Sequence, residues 1–366
     1  MTEDQKTTLP GLEEERGLVP AILRYLDTRI GLAEFLSILR KKEVPIHRHT
    51  IWYYVGGITL FFFVMQLLTG FLLLVYYQPT APHESVQAIV SQVEFGWLVR
   101  SVHSWSANLM VAAAFCHMFS VFFMRAYHHH RDLLWYSGIT LLMLAFGLGF
   151  TGYALPGDEV AYFATKIGLD VANATPGFGK PIANLLRGGE EITTATYQRL
   201  FALHAAVLPV LFMPLLMLHL WLVQRHGSHV PDDVDPQTVR TVPFFPKFFL
   251  NELIVWLLCL NLLTVLAAIF PWDHGHAADV LRPAPVGIHP EWYYMSQFQL
   301  LKFMPATLFG IPGELVGMGL FSAAAGLWVL VPLFDRGPRR ARRVVYGGYA
   351  AIVGLLVLTL WGYAGL

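Results

Sequence analysis

Seven apolar stretches, each long enough to cross a lipid bilayer, constrain this chain more than any other feature. They lie near 51–76, 97–124, 133–154, 200–223, 249–270, 311–334 and 344–365. A hydrocarbon core about 30 Å thick needs about 20 apolar residues in a helix, and each backbone polar group there must be paired within the segment. The sequence therefore predicts an all-α membrane protein with seven transmembrane helices. A composition of 55% hydrophobic and 14% charged residues agrees with this class.

Polar segments divide these predicted helices into blocks. We expect an amphipathic surface segment over 1–48, a four-helix bundle over 49–224, a polar linker over 225–248 and a three-helix block over 249–366. In the first segment, apolar residues recur at helical spacing, which is typical of a helix that lies on the membrane surface.

Basic residues predict the orientation of the chain. They cluster before the first predicted helix and between helices two and three, four and five, and six and seven, in the segments 40–42, 125–131, 225–247 and 336–343. All four clusters fall on one side of the membrane. Because cytoplasmic loops carry the excess of Lys and Arg, we expect a multi-pass protein of a bacterial cytoplasmic membrane with its N-terminus on the cytoplasmic, negative side.

Charge and cysteine content exclude several classes of function. The formal net charge is zero, so the chain has no bulk electrostatic attraction for nucleic acid. The two cysteines, Cys116 and Cys259, both lie in apolar stretches. A disulfide framework, an iron–sulfur cluster and a CxxCH haem attachment are therefore excluded within this chain. Electron carriers of those kinds must come from partners.

Four histidines lie inside two of the apolar stretches, in matched pairs. His103 and His117 are 14 residues apart, and His204 and His219 are 15 apart. Such intervals correspond to roughly 21–22 Å along a helix and keep each pair near one helix face. Two facing helices would supply two bis-histidine sites at different depths. Since neutral imidazole is a haem ligand that costs less in hydrocarbon than a charge, the pattern predicts two b-type haems, bound without covalent attachment.

Glycines repeat the histidine interval on the neighbouring stretches. Gly56 and Gly70 are 14 residues apart, as are Gly138 and Gly152. A porphyrin between helices needs surfaces without side chains at its level, although general packing of small residues in membranes would also place glycine there. Likewise, a lone histidine on an apolar helix is more often a packing residue than a ligand. The shared interval favours haem.

Two arginines could pair with haem propionates at the membrane boundary. Arg100 lies three residues before His103, and Arg199 lies five before His204. Arginine binds carboxylates strongly, while an arginine that only extends its side chain towards water at a helix end is the alternative.

Five motifs together resemble the cytochrome b subunit of cytochrome bc complexes, and within that family the cytochrome bf-like branch. They are GGITLFFFVMQLLTGF at 56–71, FGWLVRSVH at 95–103, RSVHSWSA at 100–107, TGYALP at 151–156 and HPEWYY at 289–294. The resemblance covers nearly the whole chain. Unlike the usual arrangement in that branch, the four-helix haem block and the three-helix block are fused in one polypeptide.

The resemblance implies a role for each of these residues. His103 and His204 would ligate the low-potential haem near the positive side, and His117 and His219 the high-potential haem near the negative side. Pro290, Glu291, Trp292 and Tyr293 would form the quinol oxidation site, with Glu291 accepting a proton. A carboxylate within reach of the quinol hydroxyl suits that chemistry independently.

A quinone reduction site near the negative side is implied more loosely. Glu252 aligns with an acidic residue of that site, although a carboxylate at a helix N-terminus is also favoured there electrostatically. Arg225 and His226 are weaker candidates for the same pocket.

Three positions depart from the family pattern. Tyr54 replaces the cysteine that tethers an additional haem in the bf branch, so covalent attachment is excluded there, and the sequence leaves open an untethered haem. Ser120 replaces an arginine that pairs with a propionate, a role for which Arg125 is a candidate. Gly157 replaces the tryptophan expected after TGYALP.

The implied activity is that of the membrane core of a quinol:cytochrome c type oxidoreductase. Its implied partners are a Rieske iron–sulfur protein, a c-type cytochrome, quinone, lipid and a second copy of the complex. A di-haem membrane anchor of a dehydrogenase or hydrogenase is one alternative, but it would not need the PEWY motif. A transporter that relays protons through intramembrane histidines is the other.

Overall fold

The computed structural model describes residues 17–30, 42–128, 130–279, 283–285, 287–335 and 338–365. Helices dominate these residues. In chain order they are α1 Leu18–Ile30, α2 Tyr53–Leu74, α3 Pro82–Gln92, α4 Gly96–Phe123, α5 Asp132–Ala154, α6 Glu159–Ala174, α7 Gly179–Arg187, α8 Thr194–Ala202, α9 Leu208–His226, α10 Phe249–Ile269, α11 Trp292–Lys302, α12 Gly313–Val329, α13 Val331–Phe334 and α14 Pro338–Ala364.

Shorter elements join these helices. Two five-residue π-helical turns, Leu203–Val207 and Phe244–Phe248, lead into α9 and α10, and short 3₁₀ turns cover Thr50–Trp52 and Pro236–Thr238. Two antiparallel two-stranded sheets complete the described elements: β1 Glu43–Ile46 with β2 Arg240–Pro243, and β3 Thr307–Leu308 with β4 Ile311–Pro312.

Six of the described helical segments are long and apolar enough to cross a membrane. They are Thr50–Leu74, Gly96–Phe123, Asp132–Ala154, Thr194–His226, Phe244–Ile269 and Arg342–Ala364. The protein is therefore an integral, multi-pass membrane protein, as predicted. The remaining predicted span, 311–334, forms the shorter helix α12, which runs from Gly313 for 17 residues. It ends at Leu330, just before Pro332 in the first turn of α13.

The predicted amphipathic segment is only partly described. Helix α1 covers Leu18–Ile30, and several of its apolar side chains, including Leu18 and Tyr25, are exposed. The second half of the predicted segment, with Leu32, Phe35, Leu36 and Leu39, lies outside the described residues.

The core lies between α2, α4, α5, α9 and α10. Buried aromatic and aliphatic side chains from these helices form one cluster there, and Phe63 of α2 stacks on Phe212 of α9 with ring centroids 4.4 Å apart. Burying such side chains removes apolar surface from solvent or lipid and fills the space between helices. This cluster occupies the level between the two histidine pairs along the helices, since Phe63 lies midway between Gly56 and Gly70.

One end of the bundle joins the two blocks through polar contacts. Strand β1 pairs with β2, and Arg131 donates to the carbonyls of His226 and Gly227. Arg125 forms two hydrogen bonds of 2.8 and 3.0 Å with Asp335, whose side chain is fully buried. The loops that carry three of the four predicted basic clusters therefore meet at one end, as the charge pattern predicts.

The opposite end joins the blocks through the loop after α10. Arg100 of α4 donates to the carbonyls of Trp272 and Asp273 at 2.6 and 3.0 Å. Asp158 caps α6 by accepting from the amide of Ala161, and its second oxygen accepts from Gly275. This end therefore holds the side chains that sequence reasoning assigned to the positive side.

Candidate haem and quinone sites

The four predicted histidine ligands meet in two pairs. The rings of His103 and His204 have centroids 6.3 Å apart, and those of His117 and His219 are 6.5 Å apart. An imidazole nitrogen lies about 2 Å from its metal, so two rings on opposite sides of one ion have centroids about 6 Å apart. Both pairs therefore have the separation of axial ligands to a shared metal ion.

Each predicted glycine lies against one of these rings. A Cβ atom added to Gly56, Gly70, Gly138 or Gly152 would lie 3.1, 3.4, 3.3 or 2.6 Å from Cε1 of His117, His103, His219 or His204, respectively. A side chain would press on the neighbouring ring at Gly56, Gly138 and Gly152, most of all at Gly152, and at Gly70 it would touch the ring. The four glycines thus belong to the histidine sites rather than to general helix packing.

A π-helical turn explains the unequal histidine intervals. His204 lies within the turn Leu203–Val207, whereas α4 carries His103 and His117 without such a turn. A π turn accommodates one extra residue inside a helix. The interval of 15 residues on the fourth span therefore places His219 on the same face as His204.

Hydroxyl groups hold three of the four rings. The residues directly before three of the glycines are Thr69, Ser137 and Thr151. Their hydroxyls contact Nδ1 of His103 at 2.8 Å, of His219 at 2.9 Å and of His204 at 3.2 Å. Each ring thereby presents Nε2 to the space between the helices, because a partner on one nitrogen fixes the tautomer and orientation of the ring.

His117 differs from the other three ligands. Its Nδ1 atom is buried and has no hydrogen-bond partner among the described residues. The position before Gly56 is Val55, which carries no hydroxyl group. The sequence contains this difference, but only the structure shows that the residues before the other three glycines contact histidine rings.

A cavity of about 950 Å³ contains the His103 and His204 pair. Gly70, Gly152 and Arg100 line it, and so does Glu291 from the C-terminal block. Arg100 uses two donors on backbone carbonyls and has others that can bind an anionic group. The predicted arginine and the predicted proton acceptor therefore share one cavity with His103 and His204.

Two other arginines have different contacts. Arg199 donates to the carbonyls of Asn184 and Leu185 at the C-terminal end of α7, at 3.2 and 2.5 Å. Arg125 is bound to Asp335, and Ser120 donates to the carbonyl of His117 at 2.8 Å. In this structure Arg100 is thus the predicted propionate partner that lines the cavity, while Arg199 stabilises a helix end.

The residues fit haem better than a bare metal ion. No group of three or more His, Cys, Asp or Glu side chains in the described part of the chain could hold a metal ion by itself. Two opposed imidazoles flanked by glycines suit an ion whose remaining ligands come from a flat macrocycle. The fit rests on ring separation, on the open glycine surfaces and on the ring-orienting hydroxyls.

The segment Pro290–Tyr293 leads into α11, and Glu291 occupies its N-cap position without using its side chain as a cap. Burial raises the pKa of the Glu291 carboxyl to about 7. A carboxyl with this pKa can exchange a proton near neutral pH. The Glu291 side chain therefore does not cap the helix and can exchange a proton.

Glu291 also borders a second cavity, of about 330 Å³, with a largely apolar lining. Phe150, Ile167 and Phe298 contribute to this lining, and Tyr153 and Pro290 border both cavities together with Glu291. A pocket of this kind suits a flat apolar ligand with few polar groups. Glu291 is thus situated between an apolar pocket and the cavity of the positive-side histidines.

The aromatic residues of the motif are fixed by packing. Trp292 donates from Nε1 to Asn108 at 2.9 Å, and Tyr293 stacks on Phe146. A Cβ atom on Gly149 would lie 2.5 Å from the Tyr293 hydroxyl, so this glycine admits the phenol. Burial raises the pKa of Tyr293, which keeps the phenol protonated and able to donate.

At the end of the bundle that holds His117, Glu252 lies against Gly57. A Cβ atom on Gly57 would fall 1.6 Å from Oε1 of Glu252, so a side chain here would displace this carboxyl. Oε1 is buried and has no hydrogen-bond partner among the described residues. Sequence reasoning missed Gly57, although the GG pair at 56–57 was a visible signal. Glu252 therefore lies next to the glycine that contacts His117.

The other negative-side candidates do not join this carboxyl through any described contact. The guanidinium of Arg225 lies over the ring of Trp221, and the carbonyl of His226 accepts from Arg131. Tyr54 stacks on Phe248 with centroids 4.7 Å apart. The position of the missing tethering cysteine is thus filled by an aromatic pair.

The backbone conformation at position 157 explains why glycine occupies it. Its φ is +62°, and a Cβ atom would lie 3.0 Å from Pro82. A tryptophan in this conformation would be strained. The turn places Asp158 at the start of α6.

Comparisons with known proteins agree with these sites. Residues 40–227 match the family model described as cytochrome b/b6/petB, and residues 277–365 match that of cytochrome b(C-terminal)/b6/petD. The chain is 45% identical, over 331 residues, to a cytochrome bc complex cytochrome b subunit of Chlorobaculum thiosulfatiphilum, covering 89% of this chain and 76% of the relative. It is 40% identical over 209 residues to cytochrome b6 of Synechococcus sp. (strain JA-3-3Ab), covering 57% of this chain and 97% of the relative.

A solved structure shares the fold. The structure titled "Hyperthermophilic respiratory Complex III" aligns with a TM-score of 0.75 at 21% identity and covers 93% of this chain and 100% of its own. The second family match includes the PEWY segment, which a di-haem anchor of another enzyme would not need. The chain therefore belongs to the cytochrome b family of cytochrome bc complexes, in a form that joins the b6-like block and the C-terminal block in one polypeptide.

Proposed function

We propose that this chain is the membrane core of a quinol:cytochrome c type oxidoreductase that holds two b-type haems. The observation that carries the proposal is the position of Glu291, on the wall of both the apolar pocket and the cavity of His103 and His204. A quinol in the apolar pocket would lie beside a carboxyl that can take its proton and close to the first electron acceptor.

The chain's own residues bind and orient the reactants. The apolar pocket excludes water from the quinol ring, and the protonated Tyr293 supplies a fixed donor nearby. Glu291 accepts a proton from the quinol hydroxyl. When bound, the two haems supply one-electron transfer across the bilayer, and the paired histidines hold them at two depths.

Glu252 is the proposed proton donor of a quinone reduction site at the negative side. Its buried oxygen Oε1 lies against Gly57, the neighbour of the glycine that contacts His117, and is not bonded to a backbone amide as a helix cap would be, which supports this role over simple helix capping. Arg225 and His226 remain weaker candidates in the proposal.

The proposed complex contains a Rieske iron–sulfur protein and a c-type cytochrome and works as a dimer. With two cysteines in the whole chain, the acceptor of the other quinol electron must be a partner protein. The proposed location is a bacterial cytoplasmic membrane with the N-terminus on the negative side, in line with the basic residues gathered at one end.

The variant Glu291→Gln tests the role of Glu291 directly. We expect at least about a hundredfold slower quinol oxidation in the purified complex, because general base catalysis contributes that much or more. In the wild type the rate should rise with pH through about 7, as the Glu291 carboxyl ionises, and in the variant this step should vanish. Both haems should remain bound, as measured by the difference spectrum. Unchanged turnover or an unchanged pH profile would remove Glu291 from this role.

A further inference from the structure

Asp158 and His274 form a buried carboxylate–imidazole pair beside the cavity that contains Glu291. Oδ2 of Asp158 lies 3.9 Å from Nδ1 of His274, and the His274 side chain is only 4% exposed. Nδ1 is buried and has no hydrogen-bond partner among the described residues. Asp158 and Glu291 both line the 950 Å³ cavity. Asp158 therefore borders the space into which Glu291 opens, and His274 lies against Asp158.

The hydrogen bonds around His274 fix which nitrogen is free. Nε2 lies 3.2 Å from the carbonyl of His83, which can only accept, so Nε2 carries the hydrogen. His83 in turn donates from its own Nε2 to the carbonyl of Gly275 at 2.9 Å, and the two imidazole rings stack with centroids 4.3 Å apart. In neutral His274, Nδ1 thus carries the lone pair, and it is this nitrogen that lies 3.9 Å from the carboxylate oxygen.

Neutral His274 and ionised Asp158 have no proton between Nδ1 and the carboxylate oxygen. A lone pair that faces a carboxylate in a buried position is unfavourable, and a single proton between the two groups converts it into a charge-assisted contact. The charged groups around the ring are Asp158 on α6, His83 on α3 and Arg100 on α4. Burial, together with Arg100 and His83, lowers the pKa of His274, against the opposing effects of Asp158 and the His83 carbonyl. A proton that arrives here is therefore passed on rather than retained.

We propose that the Asp158–His274 pair is a proton-loading site that receives the proton leaving Glu291, with His83 as the residue that positions His274. This proposal rests on the proposed function of Glu291. The proton first moves from the quinol hydroxyl to the Glu291 carboxylate. It then moves, through water in the part of the cavity that a bound haem would leave free, to the space between Asp158 and His274, and Glu291 returns to its ionised form. From the pair the proton leaves to water on the positive side, and no electron moves in these steps.

The test uses the purified complex with duroquinol as donor and a c-type cytochrome as acceptor. Asp158→Asn keeps a good N-cap for α6 but cannot carry a proton, and His274→Asn removes the titratable imidazole. The matched control is His276→Asn, because His276 lies in the same loop, is exposed, and contributes only its backbone carbonyl to Glu159. Haem content and difference spectra verify that each variant is assembled.

We expect both pair variants to oxidise duroquinol on the order of tenfold more slowly than the wild type. The deficit should grow as the pH falls and shrink when imidazole buffer is added, since a mobile base can replace the pair. The double variant should be no slower than either single variant, because both interrupt one step. His276→Asn should match the wild type.

Glu291→Gln in the same assay separates the two proposals. Slow turnover in Glu291→Gln with wild-type rates in both pair variants would overturn the loading site and leave the function of Glu291 intact. Wild-type turnover in Glu291→Gln would overturn both. A loss in the pair variants that neither pH nor imidazole changes would indicate a structural role and would also overturn the loading site.

Discussion

The two histidine pairs are alike in ring separation but differ in how their rings are held. At the positive side, Nδ1 of His103 bonds to Thr69, and Nδ1 of His204 contacts Thr151 and the carbonyl of Leu148. At the negative side, His219 bonds to Ser137, whereas His117 has no described partner. A ligand whose second nitrogen donates a hydrogen bond is more basic and stabilises the oxidised metal. The positive-side pair, with both rings held, should therefore support the lower reduction potential.

This comparison agrees with the assignment that the family resemblance implies. The low-potential haem is expected on the positive side, where electrons from quinol would enter, and the higher potential on the negative side favours transfer across the bilayer. Three positions occupied by Thr or Ser and one occupied by Val thus distinguish how the rings of the two pairs are held.

Removing one ligand should have the largest effect. We expect His103→Leu to abolish binding of the positive-side haem and His117→Leu that of the negative-side haem, since the described residues offer no third ligand at either pair. Haem analysis of the purified complex should fall from two b-type haems per chain to one in each variant. Retention of two haems in either variant would contradict the pairing of ligands.

Glycine substitutions should have the next largest effect. Comparing two of them shows which glycine packs more tightly against its histidine ring. Gly152→Ala brings Cβ to 2.6 Å from the His204 ring, and Gly70→Ala only to 3.4 Å from the His103 ring. Since both glycines line the positive-side cavity, each is a control for the other. We expect Gly152→Ala to cost about 1–3 kcal/mol and to reduce haem occupancy, with Gly70→Ala close to the wild type. Equal haem content in the two variants would contradict this ranking.

Changing the hydroxyl partners should have the smallest effect and tests the comparison itself. We expect Thr69→Val to raise the midpoint potential of the positive-side haem, and Val55→Thr to lower that of the negative-side haem. Each shift should be about 40 mV, if one hydrogen bond contributes about 1 kcal/mol. Thr140→Val removes a hydroxyl that bonds only within its own helix and is the control. Potentiometric titration measures all three, and shifts of the opposite sign would refute the role of the hydroxyls.

Most of the fold and the histidine sites could be predicted from the sequence, because both depend on periodicity along single helices. Hydropathy predicted seven membrane spans, six of which match long apolar helices of the described residues, and spacing predicted the paired histidines and the glycines that lie against their rings. The length of the helix at α12 was overestimated, because hydropathy does not detect the helix break between Leu330 and Pro332. The π turn at His204 was not predicted either, although the interval of 15 residues was its signal.

Features that depend on contacts between distant segments could not be predicted. Arg125 and Arg199 looked like propionate partners because charge and position were the available information, whereas the structure gives them Asp335 and the end of α7 as partners. The contact of Glu252 with Gly57 and that of Asp158 with His274 join residues more than 100 positions apart in sequence. No local pattern specifies such pairs.

Electron paramagnetic resonance of the oxidised, haem-loaded complex tests the central claim most directly. The ring planes within the two pairs are inclined by 77° and 84°, and near-perpendicular axial imidazoles give strongly anisotropic low-spin ferric signals. The account predicts two such bis-imidazole signals of equal intensity, one per haem. A single signal at full haem occupancy, or a signal of thioether or thiolate coordination, would contradict it.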